Sequence, residues 1–104
     1  MTEGVYGPTG AGTVVLDLGP GVGALILNTP PQLSGHEIEI SPAGPAGARR
    51  THSQVRERRA GGRTGYAAVF PDLAAGRYTI WRDEVTALGT VEVTGGSVAV
   101  FDWP

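Results

Sequence analysis

His36, His52, Glu37 and Glu39 are the residues of this chain whose types could hold a metal ion or move a proton. Two histidines and a carboxylate suit zinc or non-haem iron. Their spacing makes neither H-x-x-x-H nor HExxH, and His36 shares strand parity with Ile38 rather than with Glu37. No metal ligand is assigned on that basis, and no cofactor is expected. Glu37 and Glu39 alternate with Ile38 and Ile40, so they point the same way about 7 Å apart. Paired carboxylates can do acid–base work, but a solvated strand face is far the commoner reason for such a pair. Ser34, Ser41, Ser53 and Ser97 lie in no G-x-S-x-G and beside no paired base. Cysteine is absent, which removes thiolate catalysis, cysteine metal sites and disulfides. Lysine is absent too, which removes Schiff bases and the P-loop lysine. The stretch 7–13 is therefore not a phosphate loop. These residues predict no catalytic site and no enzyme.

Charge is the stronger signal. All eight basic residues are arginine, and six of them (Arg49, Arg50, Arg56, Arg58, Arg59, Arg63) crowd into 49–63 with one acid, Glu57. That segment carries a local net of +5 on a chain whose overall net is −2. Guanidinium forks suit bidentate recognition of carboxylate or phosphate. Binding to nucleic acid would want interleaved exposed aromatics, and the segment reaches Tyr66 before any appears. An acidic protein surface, or head-to-tail pairing with the acidic remainder of the chain, is the expected partner; nucleic acid is disfavoured. If Arg56 and Arg58 share a strand face with His52 and Gln54, they would form a charge ladder with Glu37 and Glu39. Trp81 and Trp103 fall outside the parity of Tyr78/Ile80 and Val98/Val100, so both are expected to be exposed, as interface anchors or a sugar platform. The candidate binding surface is thus Arg49, Arg50, His52, Arg56, Arg58, Trp81 and Trp103.

Short strands must position these groups. Seventeen glycines and eight prolines punctuate runs rich in Val, Ile, Thr and aromatics, the pattern of an all-β domain. No window carries a helical period. Eight strands are predicted at 13–18, 22–27, 36–41, 51–58, 64–70, 77–82, 90–94 and 97–103. The run 22–27 is apolar throughout, so it should be central. Gly61-Gly62 turns the chain, and Gly95-Gly96 reads as a hairpin. Alternation assigns Val14, Leu16, Leu18, Leu25, Leu27, Ile38, Ile40, Val55, Val69, Leu73, Tyr78, Ile80, Val91, Val93, Val98 and Val100 to the core. Residues 1–12 read as a flexible arm, and 13–104 as one domain, an antiparallel β-sandwich of seven to eight strands with Ig-like or prealbumin-like Greek-key topology.

The stretch Phe70-Pro71-Asp72-Leu73-Ala74-Ala75-Gly76-Arg77-Tyr78-Thr79-Ile80 resembles the L-x-x-G-x-Y-x-[VI] corner of prealbumin-like sandwiches: carboxypeptidase regulatory-like, transthyretin-like and Cna-B-type domains. The resemblance covers 64–103 and implies that Leu73 plugs the end of the fold, Gly76 bends the chain and Tyr78 buries its ring while its hydroxyl finds a backbone partner. Such modules are mostly structural or adhesive, and fold does not dictate activity. The Lys–Asn isopeptide bond of Cna-B-type domains needs a lysine this chain lacks, and the C-terminal signature of the transthyretin-like urate-pathway enzymes is missing. The expected function is a non-enzymatic interaction or assembly module that binds another protein or itself. The alternative is an accessory domain for a metal ion, carbohydrate or phosphate-bearing group. With neither a signal peptide nor a long apolar run in sight, the expected location is the cytoplasm.

Overall fold

The computed structural model describes residues 20–104. Its strands are β1 (Val22–Thr29), β2 (Glu37–Pro42), β3 (Thr51–Gln54), β4 (Arg56–Ala60), β5 (Arg63–Ala74), β6 (Gly76–Trp81), β7 (Ala87–Val93) and β8 (Val98–Asp102). A 3₁₀ turn, Pro31–Leu33, follows β1. The strands form two four-stranded sheets, ordered β4-β5-β1-β8 and β3-β2-β6-β7. No helix among the described residues is long and apolar enough to cross a membrane. The expected strand at 13–18, with Val14, Leu16 and Leu18, and the arm at 1–12 lie outside the described residues.

Period-two alternation builds one core from both sheets. Leu25, Leu27, Ala68 and Phe70 of the first sheet cluster with Ile38, Ile40, Tyr78, Ile80 and Val93 of the second, together with Val55 and Leu73. Leu25, Leu27, Ile40 and Ile80 are fully shielded from water; burial of each such side chain is worth about 1.5–3 kcal/mol. As its two-sided apolarity predicts, β1 is central, with β5 on one side and β8 on the other. Leu73 is buried at the end of β5, and the buried Tyr78 donates its hydroxyl to the Ala74 carbonyl at 2.6 Å. The resemblance led to that expectation.

Four expectations need correction. First, 51–58 is two strands rather than one. Val55 is buried, its N–H donates to the His36 carbonyl (2.8 Å) and its carbonyl accepts from Gly35 N–H (2.9 Å). These bonds satisfy the crossing backbone, so β3 stays in the second sheet while β4 enters the first. Second, the tight hairpin lies at Gly61-Gly62, both with positive φ (58° and 78°), between the paired residues Ala60 and Arg63. That is the signature of a type I′ turn. Gly95-Gly96 instead carries the chain between sheets, since β7 pairs with β6 and β8 with β1.

Third, β8 runs parallel to β1, so the fold is not purely antiparallel. A Cβ on Gly23 would lie 2.5 Å from the Thr94 carbonyl, so β1 can pass beside this turn only with glycine there. Fourth, Val69, Val98 and Val100 face outward, at 37, 42 and 55 % exposure. Their alternating neighbours Phe70, Ala99, Phe101 and Trp103 take the inward positions. On β8 the valine parity also carries Asp102, and the aromatic set removes more area from water. Val91 packs at the rim of the core, half-buried.

Candidate interaction surfaces

Each sheet has an outer face, and the expected binding residues divide between them. On the second sheet, Glu37 and Glu39 of β2 stand beside Gln54 and His52 of β3, and Glu39 stands beside Trp81 of β6. Arg50, just before β3, lies across this face. Its guanidinium stacks 3.8 Å from the Trp81 ring centroid. One Arg50 Nη1 donates to Glu39 Oε1 at 2.8 Å, and Nη2 donates to the Glu84 carbonyl at 2.7 Å. Trp81 Nε1 donates to Ser41 Oγ at 2.9 Å, and Ser41 is itself buried. The stack, the carboxylate and the carbonyl together use the planar fork in ways lysine could not. Trp81 is thus half-buried under Arg50 rather than a bare platform.

The 83–86 turn that receives Arg50 is held by Asp83, whose Oδ1 accepts from Val85 and Thr86 N–H at 2.9 and 2.8 Å. Those backbone bonds, Val85 first, keep the Asp83 carboxyl below its ordinary range. His52 Nε2 lies 3.3 Å from Glu37 Oε1, both largely exposed. Arg49 is exposed at the margin. His36 does not join them: among the described residues, no three His, Asp or Glu side chains converge on one point.

Arg56 and Arg58 are on the other sheet. Val55 carries them away from Glu37 and Glu39, so the charge ladder drawn from sequence does not form; Arg50 and His52 take those carboxylates instead. Strand β4 is an edge strand, and its run Arg56-Glu57-Arg58-Arg59 blocks further strand addition, as charges on an edge do. Arg56 pairs in register with Ala67 and Arg58 with Gly65, on the outer face of the first sheet. There Arg58, Arg63, Thr64, Tyr66 and Asn28 border an open depression of about 380 Å³.

The rest of this outer face is apolar. Ala24 and Ile26 of β1, buried within it, are flanked in register by Val98 and Val100 of β8, and Ile26 also by Val69 of β5. At the far edge Asn28 Nδ2 donates to Asp102 Oδ1 at 2.9 Å. Sequence reasoning missed these valines because the parities of β5 and β8 were assigned the wrong way round. The signal available on β8 was Asp102, which shares the parity of Val98 and Val100 and marks that set as the outer one. Trp103 packs against the core from the opposite face of β8, so it belongs to neither surface as an exposed anchor.

No family model, curated protein or solved structure matches the chain.

Proposed function

We propose that this chain is a non-enzymatic interaction or assembly module, a single β-sandwich of prealbumin-like strand arrangement that docks through the outer face of β4-β5-β1-β8. The sandwich reading draws support from the shared core and from the Leu73–Tyr78 corner. One observation carries the docking reading: Val98 and Val100 of β8 and Val69 of β5 stand exposed on that face, on either side of the buried Ile26. Contiguous exposed apolar side chains mark interaction sites, and arginine at the margin suits an interface rim. Affinity isolation from the native host tests this, with the wild-type chain and Val100→Glu in parallel. A protein retained by the wild type and lost with Val100→Glu is expected. Identical retention by both would overturn this face as the docking surface.

The basic depression favours a second reading, recognition of a phosphate-bearing group by Arg58 and Arg63 beside Tyr66. Calorimetric titration with inorganic phosphate should then give heat that Arg58→Ala abolishes; no heat with the wild type would end this reading.

A further inference from the structure

We propose that the occupant of the β4-β5-β1-β8 outer face is a second copy of this chain, seated face to face about a two-fold axis parallel to the strands. The inference rests on the interaction-module reading and adds the partner's identity and orientation.

The face is laid out as a set of cross-strand rows. One row runs Val100, Ile26, Val69. The next runs Asp102, Asn28, Ala67, Arg56, from the β8 edge to the β4 edge. In that apolar row Val100 and Val69 supply the area that gains from leaving water, since Ile26 between them is already buried. The second row places an acid at one edge and a guanidinium at the other. Within one chain these two are three strand spacings apart, about 14 Å, too far to pair. Among the described residues, neither Arg56 nor Arg58 forms an ion pair.

A closed dimer must use one patch that complements itself. Rotation about an axis parallel to the strands exchanges the β4 and β8 edges, so each Arg56 lies over Asp102 of the second copy. Rotation about an axis across the strands keeps each edge over the same edge of the copy, so Arg56 would not meet Asp102. The charge layout therefore selects the first arrangement, and apolar rows meet in both. Four strands by about five residues span roughly 19 by 17 Å, an area suited to a concentration-dependent dimer rather than an obligate one. The second sheet offers no comparable surface, because Arg50, Glu39 and Trp81 satisfy one another there.

Sedimentation velocity on the full chain tests this, from about 1 μM to about 1 mM. A reversible monomer–dimer equilibrium is expected, weakened by added salt. Val100→Glu should weaken it about tenfold or more, since it sets a charge in the apolar row of the contact. Val100→Thr, with an unchanged thermal melt, guards against loss of folding and should weaken it less. Arg56→Asp and Asp102→Arg should each weaken association, and the two together should restore it. A monomer throughout overturns the proposal, as does a dimer indifferent to Val100→Glu. A double variant no better than the singles overturns the two-fold arrangement. A monomer that still retains a Val100-dependent host protein leaves the module reading standing with a different occupant. A monomer that retains none ends both, including the case in which residues 1–19 of the same chain cover the face.

Discussion

The two outer faces are built from strands of similar length and opposite chemistry. Over β3-β2-β6-β7 the side chains close on themselves: Arg50 lies on Trp81, holds Glu39 and reaches the 83–84 carbonyls. Over β4-β5-β1-β8 the centre is Ile26 with exposed valines on both sides, and the charges stand at the margins. A tryptophan and its polar partners produce the first of these faces, while three exposed valines mark the other. An aromatic side chain with a stacked cation and a bonded indole nitrogen is part of the monomer's own structure. A valine with water above it adds little to the monomer and is available to a partner.

This difference makes stability and association separable by mutation. Trp81→Ala should cost about 2–3 kcal/mol of unfolding free energy, somewhat below the range for a fully buried aromatic. Chemical denaturation measures it, and a loss as small as that of Val100→Thr, within about 0.5 kcal/mol, would erase the contrast between the faces. Arg50→Lys should follow at about 1 kcal/mol, because lysine keeps the charge but loses the bidentate reach and the stacking geometry. Tyr78→Phe should cost a similar amount, about 1 kcal/mol, through loss of the bond to the Ala74 carbonyl. Smallest is His52→Ala, at about 0.5 kcal/mol or less, since its contact with Glu37 is exposed. An effect of His52→Ala as large as that of Arg50→Lys would mean that the second face is held at its β3 edge rather than at Trp81.

Alkaline pH sharpens the comparison from the core side. Burial raises the Tyr78 phenol above its usual 10.0. The folded state thus holds this proton more tightly than the unfolded chain. Its contribution is complete below about pH 10 and is lost as pH rises from there through the folded value. Denaturant midpoints measured between pH 8 and pH 11 should fall more steeply for the wild type than for Tyr78→Phe. Arginine stays charged throughout this range, so association through the first face should track folding there and nothing else.

Much of the candidate surface was visible in residue types but misplaced in space. Arg50 and Trp81 both stood out in the sequence, one by charge and one by parity. Their stacking was not legible, because the loop that returns Arg50 to the sheet sets it. Arg56 and Arg58 were legible as a basic cluster with Arg49 and Arg50. Val55 then separates them by turning a single core-facing residue into a crossing between sheets. The exposed valines of β8 were legible only through Asp102, which shares their parity; a one-residue change of register exchanges the faces.

What the sequence determined by itself is the all-β class, most strand positions and the centrality of β1; the Leu73–Tyr78 corner, with a backbone partner for the tyrosine, came through the resemblance. The first three depend on local rules: period-two alternation and proline and glycine punctuation. The tertiary structure alone decided which sheet β4 joins, that β8 runs parallel to β1, and that Phe101 and Trp103 displace Val98 and Val100 from the core. Those choices depend on competition for one interior between side chains distant in sequence, where the larger apolar area wins. No local pattern encodes which sheet β4 joins or the direction of β8; for the face of β8 Asp102 is the one local sign, and the same result leaves the valines outside, on the face that the proposed dimer uses.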